Sequence, residues 1–117
     1  MKISEVRDIL EASVLTGDDQ LERTAIGAGG ADIMDAFLAA ATKDAVILTG
    51  HTGDDVIRTA RVADVAAVVF VRGKKPKDSA IELARSYKLP TMVTRYSLFV
   101  ASGKLYMNGL RGLDGSW

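Results

Sequence analysis

The sequence contains no cysteine and only one histidine among its 117 residues. The lack of cysteine excludes disulfides, iron–sulfur clusters, thiolate zinc sites and a cysteine nucleophile, and it agrees with a reducing cytosol. The single histidine excludes a histidine-rich metal site. A chain of this length buries roughly two thirds of its unfolded surface, so we predict a domain that folds without metal, disulfide or cofactor.

Long apolar runs and a net charge of either sign are also missing. The longest runs, Ala45–Leu48 and Val65–Val71, are much shorter than the roughly 18 residues that a membrane-spanning helix requires. Met1–Glu5 is followed by mixed charges, not by the apolar segment of a signal peptide. The 15 basic and 15 acidic side chains leave no positive surplus, which disfavours a nucleic-acid partner. We therefore expect one cytoplasmic domain with no membrane partner.

Hydrophobic periodicity predicts that strands and helices alternate in the second half of the chain. Apolar runs at Ala45–Thr49, Val65–Val71 and Thr91–Thr94 alternate with helical periods at Asp54–Val62 and Lys77–Tyr87. Runs that are apolar on both faces are typical of a parallel sheet covered by helices on both sides. The predicted fold class is α/β, with a three-layer α/β/α architecture and a largely parallel central sheet in a single domain.

Weaker patterns outside this region predict three more helices and two extended segments. The helices are expected at residues 4–11, 32–43 and 97–108, and the extended segments at Ser13–Leu15 and Leu21–Ala28. Gly27–Gly30 is predicted to be a loop, because glycine permits unusual backbone dihedrals. Gly109 is expected to cap the last helix. The domain would then cover residues 1–110 and be followed by a flexible tail at 111–117.

Polar residues follow each predicted strand of the second half. Because the carboxyl ends of parallel strands meet at one edge, ligands of open α/β sheets bind there. This edge carries hydroxyls, glycine backbone, one imidazole and several cations, and Arg58 in the following helix adds a guanidinium near it. The candidate ligand-binding residues are Thr49, Gly50, His51, Thr52, Gly53, Arg58, Arg72, Gly73, Lys74, Thr94 and Ser97.

Two interpretations of these residues stay open. In an anion or nucleotide pocket, the glycine-rich amides open a helix, Arg72 and Lys74 supply charge, and Thr94 and Ser97 donate hydroxyls. As ordinary connections, the same loops would only join strands to helices, with Asp54 or Asp55 as a helix cap.

A catalytic role is not predicted from this chain. His51 is the one side chain that ordinarily titrates near neutrality, but no nucleophile is identifiable at a spacing that would pair with it. Gly27–Gly30 precedes a predicted helix, yet it lacks the spacing of known phosphate loops. The residues therefore favour binding over a chemical reaction.

Several stretches together resemble the DRTGG domain family. The central match is Asp55–Asp64 followed by Val68–Pro76. Further matching segments are Lys2–Val6, Ile81–Ala84, Thr94–Phe99 and Gly103–Tyr106. The sequence has no Asp-Arg-Thr-Gly-Gly string of its own, and the Gly50–Asp54 loop departs from it.

The resemblance implies an α/β/α domain similar to the N-terminal domain of HPr serine kinase/phosphatase, without the phosphate loop of that kinase. Domains of this family accompany CBS domains, which implies a regulatory role. We therefore predict a non-catalytic domain that senses a small anionic metabolite or nucleotide. The alternative is an interaction module that forms a homodimer or docks a partner enzyme. Its apolar surface would include Leu98, Phe99, Leu105, Tyr106 and Met107.

Overall fold

Five strands in one sheet and helices on both of its faces form the part of the chain that the computed structural model describes, residues 1–33 and 41–113. The strands are β1 (Ser13–Thr16), β2 (Gly27–Gly30), β3 (Ala45–Thr49), β4 (Ala67–Phe70) and β5 (Thr91–Val93). The helices are α1 (Ile3–Leu10), α2 (Asp54–Ala63), α3 (Asp78–Ser86) and α4 (Leu98–Met107), and a short 3-10 helix covers Asp18–Gln20.

The sheet is parallel except at one edge, and its strand order is β1-β5-β4-β3-β2. The strands β2 to β5 run parallel, whereas β1 pairs with β5 in the antiparallel direction. The predicted largely parallel α/β/α architecture is therefore confirmed. Ser13 lies opposite Val93, so β1 starts beside the carboxyl end of β5. This pairing brings the end of α1 to the same edge of the sheet.

Alternate residues of the central strands enter two cores on opposite faces. Val46 and Leu48 pack on the side of α1 and α4, while Ala45 and Ile47 pack on the side of α2 and α3. Every residue of β3 and β4 is buried, because helices cover both faces of these strands. Complete burial of a side chain such as Ile47 contributes about 1.5–3 kcal/mol to folding.

The prediction that Gly27–Gly30 is a loop is wrong, because these residues form β2 and pair with β3. A Cβ on Gly27 would lie 2.7 Å from the Leu113 side chain, and one on Gly30 would lie 2.8 Å from Leu98. The lack of side chains thus lets other segments approach the strand closely, which is a known use of glycine in sheets.

The helix ends differ slightly from those predicted. The first helix begins at Ile3, before Ser4, and the N–H of Lys2 donates to the Glu5 carboxylate at 3.1 Å. An acidic side chain in the first turn therefore caps this helix, as in a capping box. The last helix ends near Gly109, whose φ of 105° suits the predicted cap.

Two predicted segments lie partly outside the described residues. The helix expected at 32–43 falls mainly on residues 34–40, and the tail expected at 111–117 falls mainly on residues 114–117. Before that point, the N–H of Ala28 donates to the carbonyl of Arg111 at 2.9 Å. In the described ranges, no helix is long and apolar enough to cross a membrane.

A tight turn after β1 generates a first prediction. Gly17 has a φ of 79°, and a Cβ there would lie 2.6 Å from the Cα of Pro90. We expect Gly17→Ala to lower the free energy of unfolding by about 2–4 kcal/mol, because backbone strain and collision add. Gly109→Ala is the matched control, since its φ is positive but no atom lies within 4 Å. Urea unfolding monitored by circular dichroism compares the two variants. Equal losses of unfolding free energy would contradict a collision at position 17.

Candidate functional site

The loops after β3, β4 and β5 leave the sheet side by side. In the parallel register, Thr49 lies opposite Phe70, and Phe70 lies opposite Val93. The N–H of Val71 donates to the carbonyl of Thr49 at 3.0 Å, which continues the ladder by one step. The three polar loops therefore begin at one level of the carboxyl edge, where open α/β sheets bind ligands.

Two backbone hydrogen bonds join the loop after β4 to the loop after β5. The N–H of Arg72 donates to the carbonyl of Tyr96, and the N–H of Gly73 donates to the carbonyl of Thr94, both at 2.8 Å. Arg72 has a φ of 60° and Gly73 a φ of 67°. A left-handed conformation costs a non-glycine residue about 1–3 kcal/mol, and the two hydrogen bonds offset this cost. They hold Arg72 at the edge of the sheet.

Asp32, Gly50 and Arg72 meet at this edge. The N–H of Gly50 donates to Asp32 Oδ1 at 2.6 Å, and Arg72 Nη2 lies 3.6 Å from Asp32 Oδ2. A Cβ on Gly50 would collide with the Arg72 guanidinium. In this contact the guanidinium occupies the space that a side chain at position 50 would take. Sequence reasoning did not select Asp32, because only the fold brings the connection after β2 to this edge.

The remaining predicted residues of the first loop have partners within the protein. Thr49 is fully buried, and its Oγ1 accepts the N–H of His51 at 3.1 Å. His51 Nε2 lies 3.0 Å from Asp55 Oδ1. Thr52 is half-buried, and Gly53 precedes α2, where a Cβ would lie 2.6 Å from Asp55 Oδ1. These groups shape the loop and the start of the helix.

The two predicted hydroxyl donors have structural partners as well. Thr94 is buried, and its Oγ1 donates to the carbonyl of Leu10 at 2.8 Å. Ser97 Oγ accepts the N–H of Val100 at 3.2 Å and thereby caps α4. The Thr94 hydroxyl joins α1 to the end of β5, so its role in the fold is to close one side of the site.

The other two predicted cations are exposed but lie in different places. Lys74 follows Gly73 in the turn after β4, at the carboxyl edge. Arg58 lines a separate groove on α2 with Thr59 and Val62. The structure thus keeps Lys74 with the other edge residues and does not bring Arg58 to them.

A cleft of about 480 Å³ lies between the end of α1 and the loops after β4 and β5. Its lining residues are Leu10, Glu11, Ser13, Gly73, Val93, Thr94, Arg95 and Tyr96. Only Gly73 and Thr94 belong to the candidates selected from the sequence. Leu10, Glu11 and Ser13 were missed because the antiparallel pairing of β1 decides that the end of α1 borders the site. Arg95 and Tyr96 lie in the polar segment directly after β5, and this position was the signal in the sequence that could have identified them.

A charged hydrogen bond spans the rim of the cleft. The Tyr96 hydroxyl donates to Glu11 Oε2. This hydrogen bond, together with desolvation and the negative charge of Glu11, raises the pKa of the Tyr96 phenol above its usual value of 10.0. Lys104 Nζ lies 4.8 Å from the centre of the Tyr96 ring and packs against it as a cation.

The edge offers cations but no metal site in the described part of the chain. Arg72 pairs with Asp32, whereas Lys74 and Arg95 form no ion pair with a carboxylate of residues 1–33 or 41–113. Across these same ranges, no group of three histidine, aspartate or glutamate side chains is placed to hold a metal ion. Exposed cations beside an aromatic ring are groups that suit negative charge and apolar or aromatic surface.

These features define a three-layer α/β/α domain with a cleft at the carboxyl ends of its strands. The family model of the DRTGG domain matches residues 5–106, so the chain belongs to the DRTGG domain family. The resemblance inferred from the sequence is thus confirmed. A search of curated proteins finds no match.

A solved structure with the same fold is the "Crystal structure of the CBS and DRTGG domains of the regulatory region of Clostridium perfringens pyrophosphatase complexed with activator, diadenosine tetraphosphate". The two chains are 16% identical and superpose with a TM-score of 0.72. The match covers 89% of this chain and 45% of that chain, so this chain spans less than half of that structure. In that protein, the DRTGG domain is part of a nucleotide-activated regulatory region.

The raised pKa of Tyr96 generates a second prediction. Replacing Glu11 by glutamine removes the negative charge, so we expect Glu11→Gln to shift the highest tyrosine titration to lower pH. In the wild type, this interaction favours folding below the ordinary tyrosine pKa, and its contribution is lost as pH rises through the raised pKa. Ultraviolet absorbance of tyrosinate measures the titration. Glu22→Gln is the control, and an equal shift in that variant would contradict the assignment.

Proposed function

We propose that this chain is a non-catalytic regulatory domain that binds a small anionic metabolite or nucleotide at the carboxyl edge of its sheet. Membership of the DRTGG domain family supports a regulatory role. The nucleotide activator of the Clostridium perfringens regulatory region supports a ligand of this chemical class. The protein would work in the cytoplasm, where such metabolites are found.

The observation that carries the proposal is the cleft beside the ends of β4 and β5. It combines the aromatic ring of Tyr96 with the exposed cation Arg95. An aromatic ring suits a nucleobase, and a guanidinium suits a phosphate through paired hydrogen bonds. Gly73 leaves open space at the rim, since no atom lies within 4 Å of a Cβ built there.

The contacts of the polar side chains favour binding over catalysis. The His51 imidazole contacts the Asp55 carboxylate, and in the described residues no hydroxyl hydrogen-bonds to that ring. The Thr49 and Thr94 hydroxyls are buried and engaged with the backbone. A nucleophile activated by an adjacent base would require a hydroxyl within reach of the imidazole. The proposal therefore includes no chemical step.

The test is thermal unfolding of the full chain with a panel of nucleotides, phosphorylated metabolites and simple anions. A ligand at 100 times its dissociation constant adds about 2.7 kcal/mol, which raises the midpoint by several degrees. We expect Arg95→Ala to weaken binding of a hit by about 1.5–3 kcal/mol, because a charged hydrogen bond is lost. Arg85→Ala on α3 is the control with the same change of charge. A panel without any shift, or equal weakening in both variants, would contradict the proposal.

The outer face of α4 favours a second candidate function, self-association. Phe99 and Met107 are 88% and 87% exposed, and Val100 and Tyr106 are also exposed. Leu105, which the sequence analysis placed in this surface, is instead buried in the core. Phe99 and Met107 lie four residues on either side of Gly103, where a built Cβ meets no atom within 4 Å.

This spacing would let two antiparallel copies of α4 cross at Gly103, with Phe99 of each copy against Met107 of the other. We expect the protein to sediment as a dimer and Met107→Asp to sediment as a monomer, because a charge replaces buried apolar surface. Val62→Asp on α2 is the control, since Val62 is 87% exposed outside this face. A wild-type protein that stays monomeric at high concentration would contradict self-association.

A further inference from the structure

At the carboxyl edge, a carboxylate of the chain itself occupies a position where a backbone amide and a guanidinium meet. Asp32 Oδ1 accepts the N–H of Gly50 at 2.6 Å, and Asp32 Oδ2 lies 3.6 Å from Arg72 Nη2. One backbone amide and one guanidinium thus converge on two oxygens of a single negatively charged group. This is the donor set with which proteins hold phosphate oxygens.

The backbone that carries each donor is held in place independently of Asp32. The left-handed turn at Arg72 and Gly73 is fixed by backbone hydrogen bonds to the carbonyls of Tyr96 and Thr94. Gly50 directly follows the buried strand β3. Because Gly50 has no side chain, the Arg72 guanidinium can lie against it. The Gly50 amide and the backbone that carries the Arg72 side chain would therefore keep their positions if the carboxylate left.

Both partners of this contact are open to solvent. The side chain of Asp32 is 45% exposed and that of Arg72 is 48% exposed, so water reaches both. An exposed ion pair of this kind stabilises a fold only slightly. An oxyanion with more oxygen atoms and more charge than a carboxylate can replace Asp32 at small cost.

We infer that Gly50 and Arg72 form a phosphate or pyrophosphate subsite that Asp32 fills when no ligand is bound. The inference rests on the proposed function and adds to it the ligand group that is recognised, a phosphoryl group, and an internal competitor that sets its affinity. Binding of the phosphoryl group would release Asp32, which follows β2 by two residues. The occupied and empty states would then differ in the contact between this connection and the loop after β3.

The experiment measures pyrophosphate binding by calorimetry in the wild type, Asp32→Ala and Asp32→Asn. The first variant removes the competing carboxylate, and the second keeps an oxygen for the Gly50 amide but removes the charge. We expect Asp32→Ala to bind about fivefold more tightly, with Asp32→Asn between it and the wild type. Asp19→Asn controls for net charge, because Asp19 follows β1 at the opposite end of the sheet. Thermal unfolding checks that each variant is folded. If Asp32→Ala does not fold, the comparison of Asp32→Asn with the wild type is the test.

The outcomes separate this inference from the proposed function. Tighter binding that disappears when Arg72→Ala is added to the Asp32 variant supports the subsite. Affinity that is unchanged or weaker in both Asp32 variants, or equally raised by Asp19→Asn, overturns it. If nucleotides still raise the unfolding midpoint in that case, the proposed function stands without Asp32 as a competitor. Absence of pyrophosphate binding in every protein likewise overturns the subsite.

Discussion

The parallel pairing of β3, β4 and β5 is the constraint on which the rest of the structure depends. Thr49, Phe70 and Val93 end their strands at one level, so three loops emerge together. The pairing is stable because alternate residues of the central strands enter two separate cores. Once the strand ends are level, short backbone hydrogen bonds can tie the loop at Arg72 to the loop at Tyr96. The cleft and the Asp32 contact both follow from this alignment.

The polar groups at the carboxyl edge divide into two sets according to burial. Buried hydroxyls such as Thr94 must find partners inside the protein, because an unpaired buried polar group costs about 1–3 kcal/mol. In the described residues, every buried side-chain nitrogen and oxygen has a partner. Exposed cations such as Lys74 and Arg95 are under no such requirement, and they form no ion pair with a carboxylate of residues 1–33 or 41–113. Burial therefore separates the groups that maintain the fold from those that face solvent at this edge.

The predictable parts of the molecule were those encoded in local patterns. Apolar runs separated by helical periods indicated β3, β4 and β5, and the topological rule for open sheets indicated the edge where Gly50 and Arg72 meet. The pattern failed at β2, because a strand of glycine and alanine has no apolar alternation and depends on close approach by Leu98 and Leu113. Asp32 carried no signal of its own, since a single aspartate after a glycine segment is common in turns.

By itself, the sequence determined the fold class, the family and the polar character of the loops, because each rests on residues close together along the chain. Only the tertiary structure decided that β1 runs antiparallel beside β5. This pairing places Glu11 at the border of the cleft. The tertiary structure also decided that Arg58 lies apart from the edge while Asp32 reaches it. The physical reason is that these contacts join segments far apart in sequence. Strand pairing and helix packing set their distances, and no short-range pattern of residues specifies either.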